Sequence, residues 1–478
     1  MINGKDIYNT LSALVPMYVP MILAYGSVRW WKIITPEQCT GINRFVAFFS
    51  APFLNFYFLA TNNPYTINFG FIAADTLQKL VILGALFLWS AFTKSGSIDW
   101  TITLFSLSTL PNTVVVGVPL LTAMYGDSST SLMSHIFVMQ GVVWFTLMLV
   151  LYEYRGARNL ISKQFPQNGG FITSFTVDSD VISLSENEPL QTEAETGENG
   201  EVHVVVKSPS FNKSCNCSTS NRCAKDIFSM RRSFSFNTTR DLRDQGSDRG
   251  MSKIHDQNQD AVKDESIVNL KAMGDTEIDE SVDRMKHSLS EGKKVAKIEE
   301  GDAYNKKQQM PATSVITRLV LTMVWKNLIR NPNTYACATG LAWSLISFRW
   351  NIKFPSIVDG SILIMAKTGT GTAMFSMGLF MALQTKIVAC GNTWATISMV
   401  ARFVVGPAVI ATAAIAIGIR GVLLRIAIVQ AALPQSVLSF VFAKEYNHHT
   451  DIISTAVIFG TVISLPVTIL YFVLLGLN

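Results

Sequence analysis

Charged residues are scarce over most of this chain. Residues 155–310 hold 22 of the 39 Lys and Arg residues and 25 of the 34 Asp and Glu residues, so only 26 charged residues remain among the other 322. About half of the chain is hydrophobic, and its mean hydropathy of +0.30 is high for a soluble protein. This distribution excludes an ordinary soluble domain and predicts a polytopic membrane protein with one large hydrophilic insert.

The sequence also lacks the patterns that enzymes, ATP-driven pumps and nucleic-acid-binding proteins require. It contains no GxxxxGK[ST], HExxH or GxSxG motif. Gly369 and Gly371 are therefore interpreted as small residues for close helix packing. The cysteines Cys215, Cys217 and Cys223 lack partners at zinc-ligand spacing, and the net charge of +5 is too small to suggest nucleic acid. We predict a protein that is not an enzyme and that uses no metal or other cofactor.

Ten apolar stretches are long enough to span a lipid bilayer. Five precede the insert and five follow it, which divides the chain into membrane halves at 1–154 and 313–478 and a hydrophilic loop at 155–312. The stretches lie near residues 7–28, 40–60, 67–92, 100–125, 131–153, 316–348, 357–383, 393–419, 421–443 and 451–476.

Loop charges predict the orientation of these stretches. Basic loops alternate with loops that have no Lys or Arg, and the positive-inside rule then puts the insert in the cytoplasm and both termini outside. Because each half has an odd number of spans, the second half enters the membrane from the opposite side. Any internal repeat is therefore an inverted one.

The fourth stretch of each half contains a break centred on proline. Pro111 lies in a Leu-Pro-Asn sequence and Pro434 in a Leu-Pro-Gln sequence. Proline removes a backbone donor and frees carbonyl groups, which are tolerated in hydrocarbon only where protein or a water-filled cavity covers them. Matched broken helices are typical of secondary transporters, whose substrate site lies where the breaks meet.

Asparagine residues beside the helix breaks predict an anion-binding site that needs no buried cation. The N-terminal ends of half-helices present free N–H groups and a positive partial charge. Asn112 adds amide donors at the first break, and Asn333 adds them at a further break in the sixth stretch. Local capping of the helix end is the alternative role for both residues. The apolar body of the substrate is predicted to contact Val114, Phe145 and Val437.

Ionisable residues inside the apolar stretches are further candidates. Asp75 and Lys79 lie at i and i+4, on one face of the third stretch. They form either a structural ion pair near the interface or a polar site that supports substrate binding. Arg402 is expected to anchor its helix at the membrane interface, and the pair His448–His449 is expected to be solvated.

The insert is rich in Ser, Asn, Asp, Glu, Gly and Lys and has few periodic apolar runs, so most of it is expected to be disordered. Ser233 follows the basic pair Arg231-Arg232 and resembles the site of a basophilic kinase. Protein kinases are therefore predicted partners, and an unmodified, solvated charge run is the alternative.

Several motifs resemble those of one plant family. Thr109-Leu-Pro-Asn-Thr113 surrounds the first break, Arg330-Asn-Pro-Asn-Thr-Tyr335 lies in the sixth stretch, and Phe442-Ala-Lys-Glu-Tyr-Asn447 follows the second break. Together with Gly41-Ile-Asn-Arg-Phe-Val46 and Met377-Gly-Leu-Phe-Met-Ala-Leu383 they cover both membrane halves, although not the insert. The chain is similar to the PIN-FORMED auxin efflux carriers of plants.

The resemblance implies an all-α fold of ten transmembrane helices, arranged as two inverted five-helix repeats whose broken helices 4 and 9 cross, as in NhaA and the bile-acid symporters. Spans 1, 2, 6 and 7 are then a scaffold that includes a homodimer interface. Spans 3–5 and 8–10 are a mobile transport domain, which exports indole-3-acetic acid as its anion by an elevator-like movement.

The resemblance also implies roles for single residues. The carboxylate of auxin lies near Asn112 and Asn333, and Asp75 and Lys79 form a support site. The crossover and the rest of the pocket are formed by Pro111, Pro434, Ala51, Val114, Gln140, Phe145 and Val437.

Five positions depart from the usual pattern of the family: Asn55, Tyr57, Phe145, Ser436 and Ser439. The loss of a hydroxyl group at position 145 and of a flexible glycine at position 436 bears on affinity and substrate range more than on the fold. The insert has an intermediate length for the family. The plasma membrane is the predicted location, with the endoplasmic reticulum as the alternative.

The predicted function is export of the auxin anion from the cytoplasm, driven by the membrane potential. An anion that leaves a negative interior gains about 2.3 kcal/mol per elementary charge per 100 mV, so no ATP and no co-transported ion is required. The alternatives are a crossover-fold carrier of another organic anion and a non-transporting auxin receptor that signals through the insert.

Overall fold

The structure is a computed structural model, in which the residues described before and after the central part of the insert form one unit. Ser233, the predicted phosphorylation site, lies outside the described residues. The described residues are 4–94, 96–166, 169–185, 190–196, 202–208, 310–384, 386 and 388–476.

Helices account for nearly all of the described membrane halves. Before the insert they are α1 (Gly4–Arg29), α2 (Pro36–Phe45), α3 (Ala51–Thr61), α4 (Phe69–Phe92), α5 (Ile98–Thr109), α6 (Val118–Tyr125), α7 (Ser128–Met139) and α8 (Phe145–Gln164). After it they are α9 (Thr313–Arg330), α10 (Pro332–Trp350), α11 (Ser356–Leu383), α12 (Asn392–Val400), α13 (Gly406–Ile417), α14 (Gly421–Ala431), α15 (Val437–Glu445) and α16 (Thr450–Gly476).

Every predicted apolar stretch coincides with one of these helices or with two consecutive ones. Within the described residues, six helical segments are long and apolar enough to cross a membrane: Thr10–Arg29, Pro36–Thr61, Phe69–Phe92, Ser128–Gln164, Asn392–Ile417 and Thr450–Gly476. The breaks are flanked by shorter apolar helices, such as Thr113–Tyr125 and Gly421–Ala431. The prediction of a helical, polytopic membrane protein is confirmed.

The predicted sixth stretch, 316–348, is divided in the structure. α9 ends at Arg330, the backbone of Asn331 is extended, and Pro332 begins α10. Asn331 Oδ1 accepts a hydrogen bond from Asn333 N at 3.0 Å, so Asn331 is the N-cap of α10. Leu319 and neighbouring residues of α9 pack against α8 and the ordered part of the insert. α9 and α10 are therefore two separate helices.

In the part of the chain that the structure describes, four π-helical turns interrupt the helices, and three of them precede a proline: Pro52, Pro119 and Pro407. Proline has no N–H group, so the carbonyl four residues earlier loses its usual helical donor. For Pro407 that carbonyl belongs to Phe403, and it accepts a hydrogen bond from the Tyr471 hydroxyl at 2.7 Å. Local sequence therefore explains these three irregular turns.

Close helix contacts at glycine join α11 to the first helices of the chain. A side chain at Gly378 would collide with the carbonyl oxygen of Met21, and a Cβ at Gly369 would lie 2.7 Å from the carbonyl oxygen of Ser50. The packing role predicted for Gly369 is confirmed. The same prediction is wrong for Gly371, because a Cβ there would have no neighbour within 4 Å.

Part of the insert forms a three-stranded sheet. Its strands are β1 (Ile172–Val177), β2 (Gln191–Thr196) and β3 (Val202–Lys207), with β3 in the middle, parallel to β1 and antiparallel to β2. Val204 and Val206 are buried and pack in one cluster with residues of α8 and α9. The expected disorder therefore does not extend to this part of the insert, where β-branched residues alternate between buried and more exposed positions.

The segment 181–185, between β1 and β2, docks on the membrane helices. Leu184 N donates to Glu153 Oε2 of α8 at 3.1 Å, and Ser183 Oγ donates to Glu445 Oε1 of α15 at 3.0 Å. Ser185 Oγ also donates to the backbone carbonyl of Glu445. The ordered insert is thus attached to both halves of the membrane region.

Gly156 permits this docking, and its replacement by alanine is expected to release the segment 181–185. A Cβ at Gly156 would collide with the carbonyl oxygen of Leu184, and backbone cannot move aside as a flexible side chain can. We expect amide hydrogen exchange at Leu184 to accelerate at least about tenfold, since the loss of about 1.4 kcal/mol of protection corresponds to that factor. The matched control is Gly84→Ala in α4, where a Cβ would have no neighbour within 4 Å. Equal exchange in both variants would contradict the docking.

Candidate functional site

The two proline-centred breaks meet in the structure. Asn112 N donates to the carbonyl oxygen of Pro434 at 2.9 Å, and Ser436 N donates to that of Leu110 at 3.0 Å. Pro111 and Gln435 face each other as an isolated antiparallel bridge. Backbone groups at each break are therefore satisfied by the other break, as a membrane environment requires.

Hydrogen bonds from side-chain amides also stabilise the crossing, which is the place where the two breaks meet. Gln140 Nε2 donates to the carbonyl oxygen of Pro111 at 2.7 Å, and Gln140 Oε1 accepts from Thr113 Oγ1 at 2.5 Å. Gln435 Nε2 donates to the carbonyl oxygen of Ser106 at 2.9 Å. Gln140, predicted to line the pocket, thus has both of its amide groups bonded to the first break.

Arg402 lies at this crossing and not at the membrane interface. Its side chain is 1% exposed. Its Nε donates to the carbonyl oxygen of Leu433 at 2.6 Å, and Nη1 donates to that of Leu107 at 3.4 Å. The expectation of an interfacial anchor is wrong, because the carbonyls that attract the guanidinium are freed by a distant break in the chain.

Asp75 and Lys79 form a buried ion pair beside the crossing. Both side chains are almost fully buried, and Gln430 Nε2 of α14 donates to Asp75 Oδ1 at 3.2 Å. The Lys79 ammonium lies 5.5 Å from the ring centre of Trp144, a cation–π distance. The pair does exist, but it lies within the helix bundle and not near an interface.

A pocket of about 430 Å³ lies between α3, α7, α8, α10 and α15. Many of its polar lining residues lie where α9 ends and α10 begins, whereas α3, α7, α8 and α15 contribute mostly apolar and aromatic residues. The polar residues include Asn55, Asn327, Arg330, Asn331, Asn333 and Glu445, and the aromatic ones include Phe48, Phe137, Phe145 and Phe442.

The polar side of the pocket suits a carboxylate. Asn331, Asn333 and Thr334 of the first turn of α10 line it, so the positive end of the helix dipole faces the cavity. Asn55 Nδ2 donates to Asn333 Oδ1 at 3.1 Å, which leaves the Nδ2 group of Asn333 as the amide donor. Asn55, which sequence reasoning noted only as a departure from a pattern, therefore orients Asn333.

Among the residues predicted to bind substrate, Asn333 and Phe145 line this pocket. Asn112 is buried at the crossing, and its side chain does not cap the helical turn that follows it. The other predicted residues lie elsewhere: Ala51 begins α3, and Val114 and Val437 pack at the edge of the largest buried apolar cluster. The structure thus brings together only part of the predicted set.

A second polar cluster surrounds His448, in the turn between α15 and α16. Thr103 Oγ1 lies 3.0 Å from His448 Nε2, and His448 Nδ1 lies 3.5 Å from Asp99 Oδ1, which also pairs with Arg155. His448 is 1% exposed, so the expected solvation is wrong. The helix ends that cover it are remote in sequence, which is why local reasoning missed this burial.

The burial of His448 predicts lower stability in acid. Burial, helped by the neighbouring His449 and Arg155, lowers the pKa of His448 to about 3. The unfolded chain therefore takes up the proton first, so this contribution to stability is present above pH ~6.5 and is lost as pH falls below it. At pH ~5 we expect a loss of about 2 kcal/mol. Thermal unfolding of the purified protein should show a shallower pH dependence for His448→Asn, and equal slopes would contradict this role.

Broken helices that meet inside the bundle, next to a pocket with a polar end and an aromatic wall, define a membrane transporter. The sequence profile of the membrane transport protein family matches residues 10–472. The chain is 44% identical to auxin efflux carrier component 2 of Arabidopsis thaliana and 45% identical to probable auxin efflux carrier component 1d of Oryza sativa subsp. japonica, each over 100% of both chains. It is 41% identical to auxin efflux carrier component 1 of Arabidopsis thaliana, with the same coverage. The chain belongs to the PIN-FORMED auxin efflux carrier family.

This membership confirms the resemblance seen in the sequence motifs. It also confirms that the chain is not an enzyme, because the family consists of membrane transport proteins.

Proposed function

We propose that this protein exports the indole-3-acetate anion from the cytoplasm. The observation that carries the proposal is the pocket in which Asn333 and the positive end of α10 face an aromatic wall. The relatives named auxin efflux carriers support the same substrate. The carboxylate accepts from Asn333 Nδ2, and the indole ring packs between Phe137, Phe145 and Phe442. Phe145 provides an aromatic face without a hydroxyl group.

Asn112 completes this site in the proposed transport cycle. It lies at the crossing of the two breaks, where it has an amide that caps no helix. Val114 and Val437 flank the crossing, and Ala51 begins the helix opposite. We place these residues, with Gln140, around the substrate when it moves from the pocket toward the crossing.

The proposed architecture has ten transmembrane helices in two inverted repeats whose broken helices cross at Pro111 and Pro434. The backbone bonds between the breaks support it. The glycine contacts of α11 with the first helices support a rigid scaffold. Gln78 Nε2 of α4 donates to the carbonyl oxygen of Gly406 of α13 at 2.9 Å, which supports a separate transport domain that moves as an elevator.

The proposed driving force is the membrane potential. Outward movement of one negative charge is favourable by about 2.3 kcal/mol per 100 mV when the interior is negative. In the proposed setting the carrier is a homodimer in the plasma membrane, with both termini extracellular and the insert in the cytoplasm, where protein kinases act on it. Asp75 and Lys79 serve as the support site.

Efflux of labelled indole-3-acetate from proteoliposomes tests this function. We expect efflux by the wild-type protein and its loss in Asn112→Ala at equal incorporation. Normal efflux by Asn112→Ala would remove Asn112 from the site and leave the function in place. Binding of auxin without flux would indicate a receptor, and flux of another organic anion alone would indicate a carrier of different specificity.

A further inference from the structure

Buried charge at the crossing is not balanced. Among the residues that the structure describes, the buried Asp, Glu, Lys and Arg side chains are Asp75, Lys79, Glu153 and Arg402. Glu153 accepts hydrogen bonds from Leu184 of the insert and Asn327 of α9, away from the crossing. The other three lie near one another, since Gln430 bonds to Asp75 and Arg402 bonds to Leu433, three residues after Gln430.

The net charge of this group does not depend on where protons reside within the ion pair. Asp75 and Lys79 sum to zero whether both are charged or both are neutral. Arg402 keeps its charge in proteins, and none of the ion pairs in the described part of the chain involves it. The crossing therefore carries one positive charge.

The backbone explains why the charge is held there. α5 ends at Thr109 and α14 ends at Ala431, so the negative ends of two half-helix dipoles converge on the crossing. The Arg402 guanidinium donates to a carbonyl near each of these ends, at Leu107 and Leu433. Carbonyl oxygens at the C-terminal ends of half-helices coordinate the coupling cation in other secondary transporters.

The charge belongs to the same body as the ion pair. Gln430 of α14 bonds to Asp75 of α4, and Gln78 of α4 bonds to Gly406, four residues after Arg402. Hydrogen bonds therefore tie α4, α5, α13 and α14 to one another around Arg402. Whatever moves the ion pair across the membrane also moves this guanidinium.

We propose that Arg402 is a built-in counter-charge for the transported anion, which takes the place of a co-transported cation. The inference rests on the proposed function. The transport domain loaded with a mono-anion then crosses the membrane with a net charge of zero. The empty domain returns to the cytoplasmic side with a charge of +1, and a negative interior favours this return. The voltage dependence of efflux therefore resides in the return of the empty carrier.

Exchange and net efflux separate these steps, because exchange of auxin for auxin uses only the loaded carrier. Proteoliposomes are set to zero or to about −120 mV with potassium and valinomycin, a potential at which one charge shifts an equilibrium by about 100-fold. For the wild-type protein we expect labelled exchange to change less than about twofold with voltage, while net efflux accelerates by up to about tenfold.

Arg402→Gln is expected to reverse this pattern, since its loaded carrier has a charge of −1: exchange slows by up to about tenfold at the negative potential. Arg402→Lys keeps the charge and should keep voltage-independent exchange. The control is Arg420→Gln, which removes an exposed cation.

The measurement on the wild-type protein tests the counter-charge even if Arg402→Gln does not fold. Wild-type exchange that slows at the negative potential while net efflux is intact would overturn the counter-charge alone. Absence of both exchange and net efflux would overturn the proposed function and the inference with it. Voltage-independent exchange by folded Arg402→Gln would also overturn the counter-charge.

Discussion

Asn333→Ala is expected to lower auxin efflux at limiting substrate by about tenfold to a hundredfold. The variant removes the Nδ2 group that Asn55 leaves free to donate to the carboxylate. A hydrogen bond to a charged acceptor contributes about 1.5–3 kcal/mol, which corresponds to this range. The initial rate of labelled indole-3-acetate efflux and the binding affinity of the purified protein should fall together.

Two further substitutions make this test specific. Asn333→Asp should impair efflux more than Asn333→Ala, because a second carboxylate repels the substrate anion. Thr339→Ala is the matched control on the same helix, since the exposed Thr339 hydroxyl bonds only to carbonyls of its own helix. Efflux by Asn333→Ala equal to that of the control would show that the first turn of α10 does not hold the anion.

Asp75→Asn is expected to remove most of the folded protein and, with it, most of the efflux. The substitution leaves the Lys79 ammonium buried without its carboxylate and close to Arg402. Removing one partner of a buried ion pair costs about 3–5 kcal/mol, which is a large part of the stability of a typical protein. Surface expression and the melting temperature in detergent measure this effect, with Asp127→Asn, an exposed carboxylate, as the control.

The double variant Asp75→Asn, Lys79→Gln separates the structural role of the pair from its role in transport. Neither unpaired charge remains, so folded protein should return. We expect efflux to stay low, as the proposed support site requires. Recovery of efflux along with folding would show that the pair acts only in stability.

The membrane helices were predictable because their signals are local. A span needs only a sufficient run of apolar residues, and a break needs only a proline. The predicted stretch 67–92, which the structure shows as α4, and the interruptions at Pro111 and Pro434 therefore follow from the sequence. The division of the sixth stretch is local as well, since Asn331 and Pro332 are a helix start signal inside an apolar run.

Several side chains could not be placed by local reasoning, because their partners are distant in sequence. Arg402 bonds to carbonyls near both breaks, and His448 packs against the beginning of α5. Asn55 bonds to Asn333 across 278 positions of the chain. An interfacial or solvated position was the simplest interpretation of an isolated Arg or His. In the structure both side chains are instead buried and bonded to specific groups of the protein. The sheet in the insert was missed because the polar composition of the insert as a whole outweighed local runs of β-branched residues such as those of β3.

Because the sheet is ordered, the segment of the chain between β3 and α9 is a suitable site for engineered insertions. Val206, at the end of β3, and Met310, where the described chain resumes, pack in the same apolar cluster. Both ends of the intervening segment are thus anchored in the same apolar cluster. For a flexible connection each doubling of length costs only about 0.6 kcal/mol in closure entropy. A change in the length of this connection is therefore expected to leave both anchors, and the helices they pack against, in place.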